Sequence, residues 1–165
     1  MIETFAWVLP RPNKSKYRGG FPLHFESKLL KLLSVSPTDK ILHPFGGQAE
    51  FGVRVDINSE TNPDYVGDAH DLSMFEDNTF DLVILDPPYN DKYSKDLYDT
   101  GKIRFSKYTS EAVRVCKPGG YVVMYHVYAT PSIKGTKLEK RILMETRPWH
   151  KARVVHIHKK EQSGV

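Results

Sequence analysis

Three aspartates, Asp56, Asp68 and Asp86, each stand at or just beyond the end of a short apolar run, in order along the chain. If those runs are parallel strands, their carboxyl ends line one edge of a sheet, which is where such sheets bind ligands. The run before them ends in Pro44-Phe45-Gly46-Gly47, a turn in which glycine permits close approach of the backbone to a ligand. An acid at the end of the second strand can accept both hydroxyl hydrogen bonds of a ribose. Any one of these acids alone reads as an ordinary polar residue opening a loop. Their shared position and order read as a site.

The elements that must place them follow from periodicity. Phe25, Leu29, Leu32 and Leu33 recur at helical spacing, with Glu26, Lys28 and Lys31 assigned to the other side, so a helix is expected from Leu23 to about Leu33. Strands are expected over Lys40–His43, Gly52–Ile57, Asp64–Gly67, Thr79–Leu85 and Tyr121–Tyr128. Thr79–Leu85 has the continuous apolar composition of a parallel strand covered on both faces. Tyr108–Cys116 reads as a helix closed by Lys117-Pro118-Gly119-Gly120, and Arg141–Glu145 with Ala152–His158 reads as a final antiparallel pair. Residues 1–22 read as irregular, broken by Pro10, Pro12, Gly19, Gly20 and Pro22. Strands alternating with helices predict an α/β chain with a mostly parallel sheet.

The length of 165 residues fits one domain, 1–165, with a short polar tail at 161–165. A single cysteine, Cys116, excludes an internal disulfide and a cysteine zinc cage, and it reads as a buried or half-buried helix residue. His156 and His158 share one strand face but lack an evident third ligand, so no metal is expected. No run is long and apolar enough to span a membrane and no export signal is evident, which makes the cytoplasm the expected location. The net charge of +4 conceals an asymmetry: residues 41–100 carry −10, while residues 1–40, 101–130 and 131–165 carry +4, +4 and +6. Such a layout suits carboxylate chemistry framed by surfaces for a polyanion, or simply acids gathered in solvated loops.

The motifs together resemble the Rossmann-like S-adenosylmethionine-dependent methyltransferases that act on exocyclic amino groups, such as the N6-adenine and N4-cytosine DNA methylases. Asp86-Pro87-Pro88-Tyr89 after T-F-D-L-V-I-L is similar to that family's catalytic D-P-P-Y, and Ile41–Gly47 to its D-P-F-x-G-x-G cofactor motif. Val55–Asn58 resembles the ribose motif, Gly67–Leu72 the adenine motif, and Lys16–Gly20 the K-W-x-G-G element of some adenine methylases. The likeness spans roughly residues 16–128, and Asp86–Tyr89 is its most specific part. It implies a class I methyltransferase sheet, mostly parallel with the C-terminal antiparallel pair, and S-adenosylmethionine as cofactor. The implied cofactor residues are Tyr17, His43, Pro44, Phe45, Gly46, Gly47, Asp56, Ile57, Asp68, Ala69 and Asp86. The implied catalytic residues are Asp86, Pro87, Pro88 and Tyr89.

The implied chemistry suits those residues. The lone pair of a base amino group is delocalised into the ring, and acceptors on its two hydrogens, the Asp86 carboxylate and the Pro87 carbonyl, favour a pyramidal, nucleophilic nitrogen. Paired prolines hold both acceptors in place beforehand, and Tyr89 would stack on the base. Direct transfer needs no cysteine nucleophile.

Three departures from the family pattern stand out. His43 replaces the usual acid of the cofactor motif, either orienting the methionine end of the cofactor or ending its strand as a satisfied histidine. About nine residues join the first two strands, fewer than the dozen or more a parallel crossover usually takes, so the first crossover helix is expected to be reduced to a turn over Gln48–Phe51. No separate reader domain is expected after Tyr89 in the residues given. Nucleic-acid contacts would then come from Lys14, Lys16 and Arg18, from Tyr93, Lys95 and Arg104 within Asn90–Tyr108, and from Trp149 in a hairpin turn, as aromatics interleaved with cations suit bases and phosphates. The alternative for Asn90–Tyr108 is a surface loop with its aromatics tucked on the core. DNA is the favoured substrate and RNA the alternative, with a partner protein or a second copy supplying target recognition if the loops do not. A non-catalytic cofactor- or nucleic-acid-binding subunit is the remaining reading.

Overall fold

The computed structural model describes residues 1–10, 20–88, 103–146 and 148–162. They form an eight-stranded sheet: β1 (Glu3–Val8), β2 (Ile41–His43), β3 (Val53–Asp56), β4 (Tyr65–Val66), β5 (Phe80–Leu85), β6 (Cys116–His126), β7 (Thr136–Glu145) and β8 (Arg153–Lys160). The spatial order is β1-β7-β8-β6-β5-β2-β3-β4. Only β8 runs against its neighbours, pairing antiparallel with both β6 and β7. The chain runs outward from β2 through β3 to β4, then returns to β5 on the other side of β2, so the order reverses between β2 and β5.

Among the described residues one α-helix packs on each face. Helix α1 (Phe25–Leu33) packs Phe25, Leu29, Leu30 and Leu33 on Trp7, Ile84, Tyr125, Ile142 and Ile157. Helix α2 (Phe105–Val115) packs Tyr108, Ala112 and Val115 on Leu42, Val83, Leu85, Val122 and Met124. The central strand β5 is buried through both clusters, as its unbroken apolar run requires.

The expected α/β architecture is present, with four corrections. Residues 1–22 are not irregular throughout: β1 pairs parallel with β7 from Glu3↔Lys140 to Val8↔Glu145. The alternation Phe5, Trp7, Leu9 is the strand signal there, and the prolines and glycines that break the chain begin only after it. Lys117–Gly120 does not separate helix from strand; it bulges within β6, where Phe80↔Cys116 is followed directly by Leu82↔Tyr121. Cys116 accordingly begins β6 rather than ending the helix, and it is fully buried. Helix α2 begins at Phe105, three residues before the expected start, and Tyr108 is core at 3% exposure, as the alternative for Asn90–Tyr108 has it for that ring. Finally, Glu26 is not on the solvent side of α1 as its charge predicts: only 8% of it is exposed.

No helix joins β2 to β3, in line with the nine-residue spacing. The short connection works because Gly52 adopts φ +93° and passes the β2 backbone so closely that a Cβ there would meet the Ile41 carbonyl at 2.5 Å.

Candidate functional site at the carboxyl edge of the sheet

The turn after β2 is held by polar side chains instead of a helix. Gly46 N–H donates to the Val55 carbonyl (2.7 Å) and Gly47 N–H to Asp56 Oδ2 (2.7 Å). Arg54 reaches back to donate to the Gly47 carbonyl (2.7 Å) and to those of Thr61 (2.9 Å) and Asn62 (2.7 Å). From α1, Glu26 accepts the Glu50 N–H at Oε2 (2.8 Å) and the Phe51 N–H at Oε1 (3.4 Å). Charged side chains from α1 and β3 thus satisfy backbone groups that a crossover helix would have paired internally.

His43 closes β2 beneath this turn and is 2% exposed. Its Nε2 lies 3.2 Å from Glu26 Oε1, close but off the line of a hydrogen bond. Phe21 packs its ring 6.1 Å from the imidazole.

Asp56 ends β3, nearly buried, with Oδ2 on Gly47 N–H and Oδ1 on Asn58 N–H (2.9 Å). A carboxylate has about four acceptor positions, so a ligand can still be accepted beside these two bonds. Ile57 follows it, half-buried. Past β4, Asp68 is 43% exposed along its side chain; its Oδ1 accepts the His70 N–H (2.9 Å) and pairs with His70 Nδ1 (2.6 Å). Ala69 is fully buried behind it. This segment is fastened to α2 by Leu72 N–H on Glu111 Oε2 (2.7 Å) and by Arg114 on the Leu72 carbonyl (3.0 Å).

Asp86 follows β5 at the point where the strand order reverses. It is half-buried, and the chain packed around it desolvates its carboxyl group. That burial pushes the carboxyl up to about 7, against the pull of the Arg153 guanidinium. Pro87 is buried and Pro88 half-buried. Because β8 is antiparallel, its first residue Arg153 lies at the same edge, next to His126 at the end of β6 (His126↔Val154). The guanidinium carbon sits 5.9 Å from the Tyr125 ring centre, and burial followed by the Asp86 charge holds the Tyr125 phenol well above its ordinary value. His126 Nδ1 accepts the Val127 N–H (2.9 Å), and burial and Arg153 both lower its pKa.

The β7–β8 hairpin turn also projects from this edge. Trp149 stands there fully exposed, at φ +66°, an uncommon conformation for a bulky residue. Arg104 is exposed at the head of α2. The Leu23 N–H donates to the Pro10 carbonyl (3.0 Å), so the residues flanking 11–19 meet where β1 ends. Tyr17, Lys14, Lys16, Arg18, Tyr89, Tyr93 and Lys95 lie outside the described residues.

The edge therefore brings together His43, Gly46, Gly47, Asp56, Asp68, Asp86 and Pro87. Pro44, Phe45, Gly46 and Gly47 form the turn above β2, with Phe45 edge-on to Tyr108 at 5.3 Å. Glu26, Arg54, His70 and Arg153 are site neighbours that local pattern does not single out. For Arg54 the available signal is its position two residues before Asp56 on a strand, and for His70 its place two residues after Asp68; Glu26 and Arg153 meet partners that are distant in sequence or set by sheet order.

No family model matches the chain, and no curated protein does. Solved structures do. TrmN from Thermus thermophilus superposes with a TM-score of 0.63 at 18% identity, over 87% of this chain and 50% of that one. The N-methyltransferase NodS from Bradyrhizobium japonicum, in complex with S-adenosyl-L-homocysteine, superposes with 0.58 at 11% identity, over 84% and 86%. A TehB-like SAM-dependent methyltransferase from Corynebacterium glutamicum gives 0.54 at 16%, over 86% and 90%. The chain has the Rossmann-like class I methyltransferase fold. It spans half the length of TrmN. Within this methyltransferase fold the antiparallel β8 is what carries Arg153 and Trp149 to the edge where Asp86 lies. Among the described residues no helix is long and apolar enough to cross a membrane.

Proposed function

We propose that the protein binds S-adenosylmethionine along the ends of β2, β3 and β4 and transfers its methyl group to an exocyclic amino group of a nucleic-acid base, with DNA the favoured substrate. The observation that carries the reading is Asp86-Pro87 at the end of β5, beside the reversal of strand order and next to the Gly46-Gly47 turn. The cofactor supplies an electrophilic methyl on a sulfonium. The residues present fit it: Asp56 has acceptor capacity for ribose hydroxyls, Asp68 is partly exposed for the adenine amino group, and His43 keeps a buried nitrogen without a hydrogen bond below the turn. The S-adenosyl-L-homocysteine bound by NodS, a protein of the same fold, supports this choice of ligand.

Asp86 and the Pro87 carbonyl would accept hydrogen bonds from the two amine hydrogens, which leaves the nitrogen lone pair available. With the cofactor bound, the amine would gain a methyl from the sulfonium and lose one proton. Asp86, with its carboxyl held near 7, is suited to receive that proton. Trp149 and Tyr89 offer stacking surfaces; Arg104, Lys14, Lys16, Arg18, Tyr93 and Lys95 supply cations and a further ring for the strand. On duplex DNA the base must be flipped out of the stack, at a cost of a few kcal/mol. A partner or second copy would extend the recognition surface offered by these segments.

Incubation with methyl-labelled cofactor against DNA, RNA and protein pools tests this directly. Incorporation into DNA that falls about 10²–10³-fold in Asp86→Asn, with cofactor binding retained, is the expected result. The wild-type rate should rise with pH through about 7 as Asp86 ionises, and that limb should vanish in the variant. Incorporation into RNA alone replaces the DNA assignment; cofactor binding with no incorporation anywhere replaces the enzyme by a binding subunit.

A further inference from the structure

His70 uses both of its ring nitrogens. Arg104 N–H donates to Nε2 at 2.8 Å, and Nδ1 faces Asp68 Oδ1 at 2.6 Å. A nitrogen that accepts carries no proton, so the ring's proton sits on Nδ1 and is donated to Asp68. The ring is 12% exposed and edge-on to Tyr108 at 5.9 Å, which in turn meets Phe45 of the β2 turn. Its orientation is therefore set by packing as well as by hydrogen bonds.

Arg104 is the residue from which α2 starts. Its carbonyl accepts the Lys107 and Tyr108 N–H groups (3.0 and 3.1 Å), but no side chain caps the helix. The His70 bond supplies the fixed point that a cap would normally give. Helix ends open locally at little cost, so the His70 bond is what stands between the head of α2 and fraying. A ligand that holds Asp68 in place holds the imidazole, and the imidazole holds the Arg104 main chain.

We propose that His70 is a positioning residue that couples ligand occupancy at Asp68 to the closed state of the α2 head, and so to the presentation of the exposed Arg104 guanidinium to a phosphate. This rests on the proposed roles of Asp68 and Arg104, and it deepens them by making cofactor and polyanion binding interdependent. Such coupling is reciprocal: each ligand must strengthen the other by the same factor.

Amide hydrogen exchange across residues 103–115, with and without saturating S-adenosyl-L-homocysteine, reads the link without requiring a substrate. In the wild type the ligand should slow exchange at Arg104–Tyr108 about fivefold or more. The slowing should be absent in His70→Phe, which keeps a ring on Tyr108, and in His70→Asn, which can still bond Asp68 but falls short of Arg104. Having two variants covers the case in which one does not fold, and thermal melts identify it. Slowing that persists in either folded variant, or that is missing from the saturated wild type, overturns the coupling. In parallel, the affinity for a single-stranded oligonucleotide should rise about fivefold with S-adenosyl-L-homocysteine in the wild type and not in His70→Asn. If the oligonucleotide fails to bind while ligand-dependent, His70-dependent slowing remains, the relay stands and the nucleic-acid reading falls.

Discussion

The two halves of the sheet are built by different means. On one side, β2, β3 and β4 have three, four and two residues, and the turns between them are secured by side chains: Glu26, Arg54 and Asp56 hold the β2–β3 connection, and Arg114 and Glu111 hold the segment after Asp68. On the other side, β6, β7 and β8 have eleven, ten and eight residues and are held by long ladders over an apolar core. The first half carries the acids at its ends, and the second carries Arg153, Trp149 and many of the remaining cations. A small ligand of fixed shape is best met by backbone groups immobilised at several points, whereas a polymer needs a broad platform that stays folded as it is gripped. The lesson is that short strands can form an ordered sheet edge when charged side chains replace the missing helix.

If this contrast is sound, its two sides should fail differently. The largest effect is expected in the ladder half. His158 is 1% exposed, bonded through Nδ1 to Thr136 (3.2 Å), and its Nε2 has no partner. Burial and then the neighbouring His156 lower its pKa to about 4. The unfolded chain takes up a proton as pH falls through about 6.5, while the folded chain resists until about 4. Stability should therefore be intact above pH 6.5 and decline by about 3 kcal/mol as pH falls to 4. Urea melts across that range check it; His158→Leu should flatten the dependence, and an equally steep decline in the variant would remove His158 as its source.

Next comes Glu26→Gln. It keeps the volume but removes the charge that holds the Glu50 and Phe51 N–H groups and faces His43, at an expected cost of about 2 kcal/mol. The loss should fall on the β2–β3 turn: S-adenosyl-L-homocysteine affinity should drop further than global stability, and exchange at residues 46–52 should quicken while β6–β8 stays protected. Uniform destabilisation of both halves would dissolve the distinction between them. The smallest effect on folding is expected at Trp149. With its indole fully exposed, Trp149→Ala should leave the melting temperature almost unchanged while weakening single-strand binding by about 1–3 kcal/mol, the range for loss of a stacking ring. A large fall in melting temperature with unaltered binding would return Trp149 to a structural role.

Much of this was legible in the chain. The acids at the strand ends, the apolar β5, the absent first crossover helix and the C-terminal antiparallel pair all follow from local pattern, because strand periodicity, strand termini and loop length are local properties. The Lys117–Gly120 bulge was not legible, since a proline and two glycines mark a break equally well at a helix end and inside a strand. Glu26 was misplaced for a related reason: a charged residue beside an apolar helical stripe reads as solvated unless buried N–H groups lie waiting for it, and those belong to residues 50 and 51. Trp7 and Phe5 alternate as a strand should, but only a neighbour turns such a segment into one, and β7 is more than a hundred residues away.

What the sequence alone determined is the set of chemical groups and their place at strand ends: Asp56, Asp68 and Asp86-Pro87 after three successive strands. Those depend on residue type and on where a strand must stop. The tertiary structure decided which groups act on one another. Sheet order, with β8 inserted against β6, brings Arg153 to Asp86; the packing of α1 delivers Glu26 to a turn formed by residues some 24 positions later; and the joining of α2 to the Asp68 segment sets His70 between an acid and a helix head. Pairings of that kind depend on long-range placement of whole elements, to which neither spacing nor composition responds.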